Sequence, residues 1–198
     1  MQNENHSPQE KNDNGFSDLT DEEVAGRVQD GDVELYEILM QRYEAKLSRY
    51  ARKFLSNRED IEDVIQQVFI KTYSNIQSFN VSMRFSPWIY RIAHNELVNA
   101  LKKKKNAALP FFDADTIFPH PVANENPSSD SEKRELAELM AQCLDKLDIK
   151  YREPLILYFL EELSYKEISD ILQIPIATVG VRINRAKEKL KIHASYLK

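Results

Sequence analysis

The sequence predicts an all-α protein, built as two small helical domains joined by an extended linker. Three observations predict it. Apolar residues recur at steps of three and four along almost the whole chain. Glycine is scarce, with four in 198 residues. Residues 106–131 break the pattern, with Pro110, Pro119, Pro121 and Pro127 and no Lys or Arg.

The elements follow in order. Residues 1–18 are polar and aperiodic and read as a disordered tail. Thr20 and Glu23 have capping-box spacing and start a short helix to about Gln29. Gly31-Asp32 interrupts it, with Asp32 placed to cap the next helix. That helix carries Leu35, Ile38, Leu39, Tyr43, Leu47, Tyr50, Ala51 and Phe54 on a core-facing stripe. Leu55-Ser56-Asn57 ends it. In the next helix Ile61, Val64, Ile65, Val68, Phe69, Thr72 and Ile76 share one face, while Asp60, Asp63, Gln66, Gln67 and Lys71 fall elsewhere. That polar face suits either solvent or a docking partner.

A loop, Asn80–Phe85, precedes Ser86-Pro87, a Ser N-cap with Pro at the first helical position. The helix after it buries Ile89, Ile92, Ala93, Leu97, Val98 and Leu101. It also offers Trp88, Tyr90, Arg91, His94, Asn95 and Asn99, then four lysines, Lys102–Lys105. Rings for stacking and cations for the backbone suit opened single-stranded DNA. A lysine run at a helix C-terminus also serves the helix dipole and solubility. His94 has no second metal ligand at a helical step.

The linker 106–131 is acidic through Asp113, Asp115, Glu125 and Asp130. It reads as a spacer or as an acidic strand for a basic channel. Glu132–Leu147 is a helix with Cys143 on its apolar stripe, followed by a nearly all-apolar helix over about Tyr151–Glu162 with Pro154 in its first turn. Ser164 and Glu167 form a second capping box, and Ile168, Ile171 and Leu172 an apolar stripe. Gln173-Ile174-Pro175 breaks the chain sharply. The last helix carries Val179, Ile183, Ala186 and Leu190 on one side. Opposite them lie Val181, Asn184 and Arg185, flanked by Gly180 and Arg182. This is helix-turn-helix layout, in which Asn suits adenine, Arg suits guanine or phosphate and Val a thymine methyl. An amphipathic helix with a solvated basic face gives the same pattern. His193–Lys198 is a short tail.

Composition narrows the function. No apolar run approaches the roughly 20 residues of a membrane span, and the N-terminus has no signal-peptide core. A cytoplasmic location is the expectation. The single cysteine excludes an internal disulfide framework and a cysteine-based zinc site. No cofactor or metal is expected. The net charge of −5 is unusual for an independent DNA binder. Either basic residues are segregated into patches or a larger partner supplies much of the DNA affinity.

Three motifs in this order, DIEDVIQQVFIKTYSNIQSF, FSPWIYRIAHNELVNALKKKK and LSYKEISDILQIPIATVGVRINRAKEKL, resemble bacterial RNA polymerase sigma factors. Within the sigma-70 family the chain is similar to the small extracytoplasmic-function (ECF, group 4) class, over roughly Asp32–Leu190. The resemblance implies a factor that binds core polymerase, directs it to −10 and −35 promoter elements and opens the DNA. Residues 19–105 would be the region 2 domain and 132–198 the region 4 domain.

The resemblance also implies site residues. Asp60, Asp63, Gln66, Gln67 and Phe69 would meet the clamp helices of the polymerase β′ subunit, with Gln67 where the family often has an acid. Asn80, Arg84, Ser86, Trp88, Arg91, Asn95, Asn99, Lys102 and Lys103 would read and hold the −10 element, with a flipped base captured by the loop. Thr178, Val181, Arg182, Asn184, Arg185 and Lys187 would face the −35 element. Gly180 stands where the family often has Lys or Arg, and Val181 where it often has Ser. As groove-facing departures they imply unusual −35 recognition, and Gly180 weakens its helix by about 1 kcal/mol relative to Ala. Region 4 would also reach the polymerase β flap, and an anti-sigma factor is an expected partner.

Two rivals remain open at this stage. An independent helix-turn-helix regulator shares the C-terminal motif but has no use for the first two. A catalytic helical protein finds no phosphate-binding glycine loop and no nucleophile–base arrangement. Its one foothold, the acids Asp60, Glu62 and Asp63, is better explained as a docking or solvated face.

Overall fold

The computed structural model describes residues 18–105 and 144–195. The regular elements of the described residues are all helices, with no strand among them. The expected tail 1–18 (but for its last residue), linker 106–131, core position of Cys143, most of the helix 132–147 and residues 196–198 lie outside them.

The N-terminal module has four helices: α1 (Asp21–Gln29), α2 (Tyr36–Ala51), α3 (Arg58–Ser74) and α4 (Phe85–Lys105). The Thr20–Glu23 capping box forms in both directions, at 3.2 and 2.8 Å. Asp32 precedes a 3-10 turn, Val33–Leu35, without a side-chain cap bond, so α2 starts at Tyr36. Asn57 caps α3 through Glu59 N–H at 3.0 Å. The core is the periodic stripe of each helix, including Val24 and Val28, Leu39, Tyr43 and Leu47, Val64 and Val68, and Ile89, Ala93 and Leu97. Phe85 lies at its centre, ring to ring with Tyr43, Phe79 and Trp88.

Polar bonds fix the joints. Asp21 accepts from Arg42 at 2.8 Å and from Tyr43 OH at 2.6 Å. Gln29 donates to the Ile76 and Phe79 carbonyls, and Gln77 donates back to the Gln29 carbonyl. The helix expected from Ser86-Pro87 begins earlier, at Phe85. Glu22 of α1 accepts the Phe85 N–H at 2.7 Å, so a distant carboxylate supplies the cap.

The C-terminal module comprises a 3-10 turn at Leu144–Lys146, α5 (Ile149–Phe159), α6 (Tyr165–Leu172) and α7 (Ile176–Ser195). α5 begins two residues earlier than the sequence suggests, because the Asp148 carbonyl accepts from Tyr151 and Arg152 N–H. Pro154 therefore lies inside the helix rather than in its first turn. Its missing N–H deprives the Lys150 carbonyl of a helical partner. Leu155, Ile156 and Leu157 are fully buried, as the continuous apolar run requires. No described helix is long and apolar enough to cross a membrane.

Candidate nucleic-acid and polymerase interfaces

α3 divides into two faces. Ile61, Val64, Ile65, Val68 and Thr72 are spent in the core. Asp63, Gln66 and Gln67 are exposed, and Asp60 is half-buried. Phe69 is a correction: it is 7 % exposed and packs in the core, and its carbonyl accepts from Tyr36 OH at 2.7 Å. Its place on the same stripe as Ile61 and Ile65 decides this. The apolar groups that stand out are Ile70, 49 % exposed, and Tyr73, whose ring leans on Tyr36. Sequence reasoning passed over both, although neither fits the buried stripe. The exposed face of α3 thus combines acid, amide and apolar groups on one rigid helix.

The loop before α4 is shaped by Asn80. Its Oδ1 accepts from Ser82 N–H and Oγ at 3.0 and 2.7 Å, and its carbonyl accepts from Met83 N–H. Asn80 is therefore a loop-former as well as an exposed amide. The turn presents Val81 and Met83 to solvent, two apolar loop residues that carried the signal and were missed. On α4, Arg91, Asn95, Asn99, Lys102 and Lys103 are exposed. Ser86 is half-buried in the first turn. Trp88 is half-buried against Phe79 and Phe85, which holds its ring in place. Tyr90 and His94 are buried and turn away from solvent.

The helix-turn-helix forms as its local signals require. Ser164 Oγ accepts the Glu167 N–H at 3.3 Å, and the Glu167 carboxylate accepts the Ser164 N–H at 2.7 Å. Gln173 ends α6 in the left-handed conformation at φ 56°. Val179, Ile183, Ala186 and Leu190 are all fully buried. Thr178, Val181, Arg182, Asn184 and Arg185 are half-buried on other sides of α7. Ile176, exposed in its first turn, was not anticipated.

Two positions on α7 differ from expectation. Gly180 is buried, and a Cβ there would lie 3.3 Å from Cε2 of Tyr165. It is a packing glycine of the α6–α7 contact, not a groove-facing departure. Lys187, seven residues on, shares that flank, because seven residues fall only about 20° short of two helical turns. Its ammonium lies 5.0 Å from the centre of the Phe159 ring, at the end of α5.

The two modules touch. Tyr50 OH donates to Glu153, and His94 Nδ1 lies 2.6 Å from the same carboxylate oxygen. Tyr90 OH donates to Glu161, which also pairs with Arg49 at 3.1 Å. Arg84, a −10 candidate, pairs with Glu167 at 2.7 Å. Burial favours the neutral phenols, and the facing glutamates add to this, so Tyr50 and Tyr90 ionise well above the ordinary range. None of these long-range partners had a signal in the sequence.

A rigid, partly polar docking helix, a loop and helix rich in amides, rings and cations, and a helix-turn-helix together define a DNA-directed regulatory protein. Comparison with known proteins narrows this. The family model for sigma-70 region 2 matches residues 39–107, and that for sigma-70 region 4 matches residues 137–190. The ECF RNA polymerase sigma factor SigW of Bacillus subtilis is 34% identical over 171 residues, 83% of this chain and 91% of SigW. The ECF RNA polymerase sigma-E factor of Haemophilus influenzae is 33% identical over 87% of this chain and 94% of its own.

Among solved structures, CnrH in complex with the cytosolic domain of CnrY matches with a TM-score of 0.64 at 24% identity, over 89% of this chain and 97% of that one. The sigma factor RpoE of Bartonella quintana, in complex with the anti-sigma factor NepR, matches with a TM-score of 0.58 at 23% identity, over 79% of this chain and 94% of that one. These two share the fold. The chain belongs to the ECF sigma factors of the sigma-70 family.

Proposed function

We propose that the chain binds core RNA polymerase reversibly in the cytoplasm, directs it to promoters with −10 and −35 elements, opens the start region and then dissociates. It acts by binding and not by catalysis. Residues 19–105 dock on the β′ clamp helices and handle the −10 element. Residues 132–198 read the −35 element beside the β flap.

The observation that carries the docking role is the exposed face of α3. Asp63, Gln66 and Gln67 stand in solvent beside exposed Ile70, while the opposite face is fully used by the core. Asp60 borders this surface, and Phe69 holds it from beneath. Arg91, Asn95, Asn99, Lys102 and Lys103 line α4 as exposed cation and amide positions for a displaced strand. Trp88 braces the loop that holds Asn80 and Arg84 and the first helical turn that holds Ser86, with Val81 and Met83 on the loop to meet an unstacked base. Thr178, Val181, Asn184 and Arg185 take the major groove, with Arg182 toward phosphate. Lys187 serves the flank. An anti-sigma factor that covers the docking surfaces is the expected regulator.

The test is a pull-down of the purified chain with bacterial core RNA polymerase, alongside an Asp63→Ala/Gln66→Ala double variant. Binding by the parent and at least tenfold weaker binding by the variant is the expected result. An independent regulator would instead bind duplex DNA specifically and ignore the polymerase.

A further inference from the structure

α1 does more than close the core. Val24, Ala25 and Val28 bury one side of it. A neighbouring side carries Glu22, Gly26 and Gln29, which fall within about 60° of one another at about 100° per residue. All three meet the segment between α3 and α4. At its start, Gln29 Nε2 donates to the Ile76 and Phe79 carbonyls at 2.6 and 2.8 Å. At its end, Glu22 Oε1 accepts the Phe85 N–H at 2.7 Å. Between these grips, a Cβ on Gly26 would lie 3.5 Å from Cγ1 of Val81, so a side chain longer than alanine would push the loop away. α1 is itself anchored, because Asp21 accepts from Arg42 and Tyr43 of α2.

A helix that served only the core would need none of these three residues. Both polar side chains bond to main-chain groups, so they fix the path of the loop and leave its side chains free. Val81 and Met83 are accordingly exposed. The residues gripped at the two ends, Phe79 and Phe85, are also the two whose rings hold Trp88. α1 thus sets the loop and its aromatic brace together. A recognition group must be held to within about 0.5 Å of its productive position by the residues behind it.

We propose that Glu22, Gly26 and Gln29 are positioning residues for −10 recognition. They hold the loop Asn80–Arg84 in the shape that selects an unstacked base, and they do so from behind, without touching DNA. This rests on the −10 role given to the loop above.

The test uses the full chain with core RNA polymerase and a pool of promoter duplexes randomised through the −10 and −35 segments. Bound DNA is sequenced, and each base preference is read as an enrichment ratio. A smaller folded fraction lowers all yields alike and cancels in that ratio. Glu22→Ala removes the acceptor and should lower the preference at one or two −10 positions at least about fivefold, the lower end for one lost base contact. The −35 preferences should not change. Glu22→Gln keeps an oxygen acceptor and should retain most of the −10 preference. Gly26→Leu, which favours helix relative to glycine, should disturb the same −10 positions with α1 intact.

Trp88, the one tryptophan of the chain, reports the loop without DNA. Glu22→Ala and Gln29→Ala should raise acrylamide quenching of its fluorescence, and Glu22→Gln should not. Enrichment ratios equal to the parent's in Glu22→Ala, Gln29→Ala and Gly26→Leu overturn the proposal, even if yields fall. A parent that binds no polymerase, with quenching that responds as expected, sinks the −10 reading instead and leaves α1 as the support of the loop.

Discussion

Replacing Gly180 with alanine separates two effects of similar size. In a helix interior, alanine is favoured over glycine by about 1 kcal/mol. At this site the new methyl group would meet Cε2 of Tyr165 at 3.3 Å and Cδ2 at 3.7 Å. The ring cannot easily retreat, because it sits 5.1 Å from the Tyr158 ring, which in turn packs edge-on against Phe159. Overpacking of this kind costs about 1–3 kcal/mol. Gly180→Ala should therefore destabilise the chain by about 0–2 kcal/mol instead of stabilising it. With Tyr165→Ala already in place, the same change should stabilise by about 1 kcal/mol. The coupling between the two sites is then about 1–3 kcal/mol, within the range for residues in contact. Urea unfolding of the four chains, followed by circular dichroism, measures it. A gain of about 1 kcal/mol in both backgrounds would refute the packing role and return Gly180 to the DNA-facing surface.

Three further outcomes are expected. Phe69→Ala should cost about 3–5 kcal/mol of stability, whereas Ile70→Ala should change stability by less than about 0.5 kcal/mol yet weaken capture by core polymerase; equal stability losses would contradict the two-faced reading of α3. Burial raises the phenols of Tyr36, Tyr43, Tyr50 and Tyr90 above their ordinary value of 10. Their folded-state values exceed the unfolded ones, so the stability they contribute is complete below about pH 10 and is lost as pH rises beyond it; ultraviolet titration should show these four ionising only as helix is lost, and ionisation of all nine tyrosines near pH 10 in a folded chain would contradict this. In an open polymerase–promoter complex, Lys102→Ala/Lys103→Ala should flatten the plot of log affinity against log salt by about 1.4, at about 0.7 per single-strand phosphate; an unchanged slope would remove both lysines from the DNA path.

What the sequence revealed was what is decided locally. The capping boxes at Thr20–Glu23 and Ser164–Glu167 involve residues three apart, and both form. The stripe Val179, Ile183, Ala186 and Leu190 repeats at helical steps, and all four are buried. What it hid was decided across the chain. The start of α4 at Phe85 depends on Glu22, far earlier in sequence. The environment of Gly180 depends on where the Tyr165 ring falls across the helix-turn-helix. Glu153 meets Tyr50 and His94, separated from it by 103 and 59 residues, so no window on the sequence brings them together. Phe69 shows the two kinds of reading side by side. The resemblance named it among the polymerase-docking positions, its place on the apolar stripe argued for burial, and it is buried.

The acidic net charge and the DNA-directed helices are reconciled by segregation. α4 contains five Lys or Arg and one Glu, and α7 contains the same numbers, so each carries a formal charge of +4. The whole chain carries −5, so the residues outside these two helices carry −13. Net positive charge is concentrated on the two helices proposed to read DNA, while the rest of the chain is net negative. Nonspecific affinity grows with the number of phosphates neutralised, and repulsion from the remainder opposes that growth. On the proposed function, a chain so divided should bind DNA weakly when alone. Under that same function, this charge segregation would make promoter binding depend on the polymerase.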